Sequence, residues 1–472
     1  MSGLDVLSIR RGSITAPAGC GKTNLIATAL KRYQGVKPVL ILTHTNAGVS
    51  ALRTRLAKEG VAAASSQVRT IDGWAIQLVA TFPTKSGVAA RVLELKNPRD
   101  DYPAIRRGAI TLLRSGHLTE IFRASYQHVL VDEYQDCSME QHELVRLLSE
   151  ILGTCIFGDP LQAIFNFGPG GVAPWDTVVT AHFPVVADLH TPWRWLNAQS
   201  EVLGVWLLKV REDILLKRPI DLGVAPPAVQ WIRLDGAADQ AKLVTAAKTK
   251  APVDGGTVLV IGESINASSR YRIASAVKGM VTVEAVDLGD LVKFAQGFDV
   301  HDDLALTRLV DFAETMMANV GGIELLKRVK LIQEKKNRKD PNDVEKFAIL
   351  FDEDRSYKRA AELLVALGRD FGVETFRPDL VQACLRALNG SHGDPTSSFE
   401  KSVLQMREQN RLSGRALPKR SIGSTLLLKG LEADVVVVLH ADQLDAKNLY
   451  VAITRGSRKL VICSSNQILR PR

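Results

Sequence analysis

Two short segments of the chain carry residue types that can bind phosphate groups and support phosphoryl transfer. The first is A-P-A-G-C-G-K-T, Ala16 to Thr23, which follows an apolar run and precedes a helical pattern. Loop amides and a helix N-terminus can surround phosphate oxygens, while Lys22 can reach the β- and γ-phosphates and the Thr23 hydroxyl can hold Mg²⁺. The first position of the pattern is Ala16 rather than glycine. The segment indicates a nucleotide-binding P-loop.

The second segment, Y-Q-H-V-L-V-D-E-Y-Q-D-C-S, places Asp132 and Glu133 directly after an apolar run. A P-loop site needs a carboxylate at a strand end to hold Mg²⁺ and a second polar group to orient the attacking water. Asp132 fits the first role and Glu133 the second. Acidic residues after a strand are also common turn formers, but D-E-x-Q-D downstream of a P-loop favours the hydrolytic interpretation. A third run ends at G-D-P-L-Q, from which Gln162 could reach the γ-phosphate.

These residues need parallel strands to bring them together. Strand and helix patterns alternate from Ser13 to Leu189, as a doubly wound α/β sheet requires. A-V-Q-W-I-R-L and T-V-L-V-I-G-E begin a second sheet after a helix, L-N-A-Q-S-E-V-L-G-V-W-L-L-K-V-R-E, and D-V-V-V-V-L-H and K-L-V-I-C-S complete it. The predicted domains are residues 1–195 with a short insertion at about 82–117, a second domain of 196–287 and 421–472, and a helical insertion at 288–420.

Composition restricts the class of protein without choosing a function. A chain of 472 residues is long enough for at least two domains, and 60 Lys plus Arg against 51 Asp plus Glu give a net charge of +9. Such an excess favours a polyanionic partner, although a solvated basic surface explains it equally well. No apolar run of membrane-spanning length and no signal pattern occurs, which predicts a cytoplasmic protein without membrane contact. The five scattered cysteines predict buried, reduced thiols.

The P-loop and seven further segments, eight in one order along the chain, resemble the UvrD/Rep/PcrA group of superfamily-1A helicases. The P-loop and D-E-Y-Q-D are two of them. The others are V-L-I-L-T-H-T-N-A-G-V-S-A-L-R-T-R-L and V-R-T-I-D-G-W-A-I-Q-L-V, G-D-P-L-Q-A-I-F-N-F, T-P-W-R-W, S-T-L-L-L-K-G-L-E-A-D-V-V-V-V and N-L-Y-V-A-I-T-R-G-S-R-K-L-V-I. The resemblance implies two RecA-like domains with ATP and Mg²⁺ between them.

The resemblance also implies roles for single residues. Arg194 and Arg455 are similar to two arginines that touch the γ-phosphate from the far side of the cleft. Trp193 stands where the family has a tyrosine that stacks on adenine, and Glu432 where a glutamate accepts from the ribose. The implied nucleotide-binding set is Ala16, Pro17, Ala18, Gly19, Cys20, Gly21, Lys22, Thr23, Asn24, Trp193, Arg194, Gly430, Glu432 and Arg455.

Single-stranded nucleic acid is bound by a basic groove with aromatic faces, because every base can stack. Phe165 and Phe167 follow Gln162 and fit this role, although two buried core phenylalanines are the alternative. Thr45, Asn46, Thr70 and Asp72 follow strands and would contact the phosphate-sugar backbone. The basic clusters at 327–339 and 411–420 would add counterion release, with a solvated helix face as the alternative for the first.

The implied function is an ATP-dependent single-stranded DNA translocase or helicase with 3′ to 5′ polarity. Several departures from the family pattern leave a second hypothesis open. No Gln precedes the P-loop, Leu426 stands in place of a DNA-coupling His, and Gly168 in place of an Arg. The short lead and T-I-D-G-W resemble the UvrD-like subunit (GajB type) of Gabija phage-defence systems. The alternative is therefore a DNA-sensing ATPase subunit that activates a partner nuclease without productive unwinding.

Overall fold

The structure is a computed structural model that describes residues 4–165, 171–236, 238–284, 288–393, 399–412 and 418–471. Chain contacts divide it into two compact units. The first unit contains residues 1–228, 443–458 and 468–472, and the second contains 229–442 and 459–467. The predicted domain limits place 443–458 with the second sheet, and those limits stay a prediction.

The strands alternate with helices along most of the chain. The strands are β1 Arg11–Thr15, β2 Val39–Thr43, β3 Ser66–Thr70, β4 His128–Val131, β5 Gly153–Gly158, β6 Val185–Asp188, β7 Ile220–Asp221, β8 Val229–Arg233, β9 Val258–Ile261, β10 Val281–Thr282, β11 Met317–Ala318, β12 Glu374–Thr375, β13 Arg420–Gly423, β14 Ala433–Val438, β15 Gly456–Ser464 and β16 Ile468–Leu469. The first ten α-helices along the chain are α1 Lys22–Arg32, α2 Asn46–Lys58, α3 Ile71–Thr81, α4 Pro83–Ser86, α5 Pro98–Arg114, α6 Thr119–Ser125, α7 Met139–Ile151, α8 Thr180–His182, α9 Trp193–Asn197 and α10 Glu201–Leu215. Those that follow are α11 Asp239–Ala247, α12 Ala267–Ser275, α13 Gly289–Gly297, α14 Ala305–Glu314, α15 Gly322–Gln333, α16 Asp343–Glu353, α17 Tyr357–Arg369, α18 Pro378–Gly393, α19 Phe399–Leu412 and α20 Ala446–Ile453.

The first unit is built on a parallel sheet in the order β3-β2-β4-β5-β1-β6. The central strands V-L-I-L-T and H-V-L-V are buried along their whole length, as expected for a sheet covered on both faces by helices. Separate apolar clusters lie on its two faces. Because all six strands are parallel, their carboxyl ends share one edge, and the P-loop, Asp132 and Asp159 follow strands at that edge.

The second unit contains a second sheet in the order β10-β13-β9-β14-β15-β8. The pairings of β10 with β13, β13 with β9, β9 with β14 and β8 with β15 are parallel. Helices from α13 to α19 form an apolar core of their own, which runs from Leu288 to Val403. The prediction of an α/β protein with two parallel sheets flanked by helices, consistent with two RecA-like domains, is confirmed.

One predicted helix differs from the structure. The run that follows Trp195 was expected to be continuous, but α9 ends at Asn197 and α10 begins at Glu201. Gln199 between them has a φ of 56°, a left-handed conformation that interrupts the helix. The prediction of buried thiols is confirmed, because all five cysteines are buried and without a disulfide. Among the described residues, no helix is both long and apolar enough to cross a bilayer.

Candidate nucleotide and nucleic-acid site

The P-loop has the backbone that its glycines predict. Gly19 and Gly21 have φ angles of 71° and 91°, and α1 begins directly after Gly21. A side chain on Gly19 would place its Cβ 2.8 Å from a ring carbon of Trp195 and 2.9 Å from the Cβ of Arg194. Glycine is therefore required here both by conformation and by the close approach of α9. The start of α1 leaves backbone N–H groups at the loop, as an anion site needs.

Lys22 lies within this loop and is almost fully buried. Its Nζ donates a hydrogen bond of 3.1 Å to the carbonyl oxygen of Ala16, at the start of the loop. Burial raises the pKa of the Cys20 thiol to about 11 even though the Lys22 charge opposes this shift. Cys20 is therefore a neutral, small packing group. Thr23 follows Lys22 in α1 and is half-buried.

The remaining predicted loop residues are packed against their own unit. Pro17 and Ala18 are buried, and the side-chain oxygen of Asn24 accepts a hydrogen bond of 3.2 Å from the Arg55 guanidinium on α2. Asn24 therefore contributes to packing of α1 on α2 as well as to the loop.

Asp132 and Glu133 stand at the end of β4. The Asp132 amide donates to the Leu42 carbonyl at 2.8 Å, and an Asp132 carboxylate oxygen accepts from the Glu133 amide at 2.9 Å. Burial raises the pKa of the Asp132 carboxyl, the Glu133 charge raises it further, and the Lys22 charge opposes both. Glu133 has a φ of 55°, which is uncommon for a residue with a side chain. Such local strain is typical of functional sites.

Gln135 holds Glu133 in place. It is not among the predicted site residues. Its Nε2 donates to Glu133 Oε2 at 2.6 Å, and its Oε1 accepts from the Asp159 amide at 3.1 Å. Gln135 is 2% exposed. The glutamine in D-E-x-Q-D is the sequence feature from which this residue could have been predicted.

Asp159 is the centre of a buried polar network at the end of β5. It is fully buried, and its carboxylate accepts from Gln162 Nε2 at 3.0 Å and from the Arg211 guanidinium at 3.1 Å. The Arg455 guanidinium donates to Gln162 Oε1 at 3.0 Å and to the Val451 carbonyl at 2.9 Å. Gln162 and Arg455, far apart in sequence, are thus direct partners within the first unit.

Arg194 also joins the P-loop to the segment that precedes Arg455. Its amide donates to the Gly19 carbonyl at 3.1 Å, and its guanidinium donates to the Thr454 carbonyl. The neighbouring Trp195 is buried, and its indole N–H donates to the Gly456 carbonyl at 2.9 Å. Arg194 and Arg455 therefore lie in the same compact unit as the P-loop. Trp193, the predicted adenine neighbour, is half-buried at the start of α9.

Gly430 and Glu432 belong to the second unit. Gly430 has a φ of 82°, and Glu432 is exposed just before β14. Their nucleotide contacts, like every residue role at this site, stay predictions.

The predicted nucleic-acid contacts have distinct environments. Thr45 and Thr70 cap α2 and α3, where their hydroxyls accept from the amides of Gly48 and Gly73. Because a hydroxyl can accept and donate at once, capping leaves each a hydrogen to offer a phosphate. Asn46 is the first residue of α2.

Asp72 and Phe165 have partners that the sequence did not reveal. Asp72 forms a two-point ion pair with Arg106 of α5, at 2.7 and 2.8 Å. The Phe165 ring lies 5.4 Å from the His44 ring at an angle of 47°. His44 follows β2, and Phe165 follows the turn Pro160–Gln162 that comes after β5. Phe167 and residues 413–417 of the 411–420 cluster lie outside the described residues.

Comparison with known proteins adds one family match. Residues 93–172 match the family model for the UvrD/REP helicase N-terminal domain. This stretch contains Asp132, Glu133 and Gln162. No curated protein matches the chain.

One similar solved structure is described as a complex of Arterivirus nonstructural protein 10 (helicase) with DNA. It shares 11% identity with a TM-score of 0.31, and the match covers 97% of this chain and 62% of that one. The chain therefore spans less than two-thirds of that protein's length. A likeness this distant supports no statement about the site.

The residues present fit a bound Mg²⁺. Its ligands in proteins are oxygen atoms, usually one or two from the protein together with water and substrate phosphates. The buried Asp132 carboxylate and the Thr23 hydroxyl supply that donor type. Among the described residues, no cluster of three or more His, Cys, Asp or Glu side chains could form an all-protein metal cage.

Proposed function

We propose that the chain is an ATP-dependent translocase or helicase of the UvrD type that acts on single-stranded DNA. The observation that carries this proposal is the chain of contacts in the first unit that connects Gln162, Arg455 and Arg194 to the P-loop. Arg194, Arg455 and the proposed γ-phosphate sensor Gln162 are thus connected to a glycine loop, and packing of the fold alone gives little reason for this arrangement. The family match over residues 93–172 supports the same reading.

In the proposed reaction, Lys22 releases the Ala16 carbonyl and binds the β- and γ-phosphates. Thr23 and Asp132 would hold Mg²⁺, which neutralises charge on the phosphates when bound. Glu133, fixed by Gln135, orients the attacking water. Arg194 and Arg455 stabilise the charge that spreads over the transferring phosphoryl group.

Single-stranded or tailed DNA is the proposed partner, and 3′ to 5′ is the proposed polarity. Phe165 lies three residues after Gln162, so a base stacked on it would be close in sequence to the γ-phosphate sensor. The threonine caps at Thr45 and Thr70 would contact the backbone without reading sequence. The process served is DNA repair or, as in the Gabija-type resemblance, phage defence.

A DNA-sensing ATPase subunit that activates a partner nuclease is the second candidate. Leu426 favours it, because an apolar and 46% exposed side chain stands where the family has a DNA-coupling histidine. In this alternative DNA binding activates the same ATP site, but the chain alone does not separate the DNA strands.

The ATPase rate of the purified chain against added single-stranded, duplex and tailed DNA tests the proposal. We expect stimulation by single-stranded and tailed DNA, and its loss in Lys22→Ala and Glu133→Gln. A rate that is flat across all nucleic acids would remove DNA from the account. Strand displacement on 3′- and 5′-tailed duplexes then separates the candidates, because only a motor unwinds alone, and only 3′ tails support the proposed polarity.

A further inference from the structure

One hydroxyl group connects the P-loop directly to the Asp159 network. The Ala18 amide, which belongs to the loop, donates a hydrogen bond of 3.1 Å to the Tyr450 hydroxyl. Tyr450 lies on α20 and is 1% exposed. The Asp159 carboxylate and the Arg211 guanidinium also lie near this hydroxyl, because the first raises and the second lowers the pKa of Tyr450. Neither tyrosine nor arginine belongs to the predicted site.

The Tyr450 hydroxyl can accept from the P-loop and face a carboxylate at the same time. A tyrosine hydroxyl has one hydrogen to donate and can accept from other donors. Because the Ala18 amide is the donor in its bond, the hydroxyl hydrogen is available to the nearby Asp159 carboxylate. Burial raises the pKa of Tyr450 well above its usual range, which keeps that hydrogen in place. Replacing the hydroxyl would leave the buried Ala18 amide of the loop without this partner.

The chain of contacts continues to Gln162 and Arg455, the two residues that are proposed to act on the γ-phosphate. Asp159 accepts from Gln162, and Gln162 accepts from Arg455. Arg455 lies five residues after Tyr450, just beyond the end of α20, which packs against the turn Pro160–Gln162. A shift of α20 therefore moves the P-loop contact and the Arg455 contact together.

We propose that Tyr450 and Arg211 are positioning residues of the hydrolytic site, which hold Gln162 and Arg455 in register with the P-loop through Asp159. This inference rests on the proposed ATPase function. It differs from a purely structural role in one respect: Gln162 and Arg455 act on the γ-phosphate, whereas ADP lacks that group. Loss of the hydroxyl should therefore impair turnover and spare ADP binding.

The test compares Tyr450→Phe with Tyr126→Phe. Tyr126 is a matched control, because its hydroxyl donates to Gln67 at 2.6 Å in the same unit, at a site unconnected with the P-loop. We expect Tyr450→Phe to lower the kcat of DNA-stimulated ATP hydrolysis about tenfold or more, with ADP affinity within about twofold of wild type. Tyr126→Phe should retain the wild-type kcat.

A second pair of variants guards against misfolding of Tyr450→Phe. Arg211→Met should reproduce the loss of kcat, and Arg211→Lys should restore part of it, because lysine keeps the charge beside Asp159. Equal kcat in Tyr450→Phe and Tyr126→Phe would overturn the inference. A parallel loss of ADP affinity and kcat in Tyr450→Phe and Arg211→Met would overturn it as well. In both cases ATP hydrolysis by the wild-type chain would still support the proposed function. A wild-type chain without hydrolysis under any condition contradicts both.

Discussion

Each unit of the molecule contains a buried cluster of charged side chains among its described residues, and the two clusters differ in what surrounds them. In the first unit, Asp159 is bonded to Gln162 and Arg211 at the ends of parallel strands beside a glycine loop. In the second unit, Arg377 forms a two-point ion pair with Glu284 at 2.7 Å and a further contact with Asp290 at 2.7 Å. Arg377 and Glu284 are both almost fully buried.

The two units differ in the partners that their buried charged groups bond to. Around Arg377, the guanidinium is used on both edges by carboxylates and on its face by the Tyr271 ring, whose centroid is 4.0 Å away. Around the P-loop, Lys22 is bonded to a backbone carbonyl, and Glu133 is held in a strained conformation. The Arg377 cluster connects helices α13 and α18 to the second sheet through side-chain partners, whereas the bond of Lys22 to a backbone carbonyl can be exchanged for a bond to a ligand. Burial of charge alone therefore does not identify an active site.

The largest expected effect is on turnover in the first unit. Glu133→Gln keeps the shape of the side chain and removes the charge that orients water, so DNA-stimulated ATPase should fall by about a thousandfold or more. Nucleotide binding should persist, because Lys22 and the loop are unchanged. Steady-state phosphate release and equilibrium nucleotide binding measure the two quantities.

Glu140→Gln is the control for that variant. Glu140 is a half-buried carboxylate on α7 that pairs at 3.4 Å with Arg106 and Arg107, away from the P-loop. Its neutralisation should leave turnover close to wild type. A Glu133→Gln protein that hydrolyses ATP at the wild-type rate would show that another group orients the water.

The next effect is on stability in the second unit. Arg377→Met leaves the buried Glu284 carboxylate without its Arg377 partner, so the free energy of unfolding should fall by about 3–5 kcal/mol. Urea unfolding combined with amide hydrogen exchange in α13 and α18 measures the loss. Nucleotide affinity should not change, because no residue of this cluster belongs to the P-loop unit.

The double variant Arg377→Met, Glu284→Gln sharpens this comparison. Because it also removes the Glu284 charge that had Arg377 as its partner, it should recover a large part of the lost stability. A double variant that is as unstable as Arg377→Met alone would mean that the arginine acts through packing on Tyr271 rather than through charge.

Local patterns predicted much of this architecture, and long-range contacts account for the rest. The apolar runs of β2, β4 and β9 and the glycine spacing of the P-loop identify strands and loop, because burial on both faces and a positive φ each demand particular residue types. Gln135 was visible within its motif. Tyr450 and Arg211 were not, because their partners are set by how α20 and α10 pack. The same holds for Arg377, whose neighbours in sequence show no motif.

A smaller effect on turnover is expected from Gln135→Leu. This change removes the amide that holds the Glu133 carboxylate and accepts from the Asp159 backbone. We expect kcat to fall by about 10- to 100-fold with little change in KM for ATP, because the water-orienting group is misplaced rather than lost.

Gln141→Leu is a matched control for this prediction. Gln141 is another buried glutamine of the first unit, which accepts from the Ser138 amide and donates to Asp72. Both variants should lose stability, but only Gln135→Leu should lose basal turnover. Equal turnover in the two proteins would mean that Glu133 does not need its amide partner.

The smallest expected effect is on the pH dependence of stability in the first unit. Burial of His128 in β4 lowers its pKa from 6.5 to about 4. Between these values the unfolded chain binds a proton that the folded chain does not, so His128 destabilises the fold as pH falls, by roughly 1 kcal/mol from pH 6 to pH 5. The raised pKa of Asp132 has the opposite sign in this window, because there the folded chain binds the extra proton. The measurement is therefore the difference in the slope of unfolding free energy against pH between wild type and His128→Leu, which retains Asp132. A smaller loss of stability on acidification in His128→Leu is expected, and identical slopes would mean that His128 is protonated in the folded protein at pH 5.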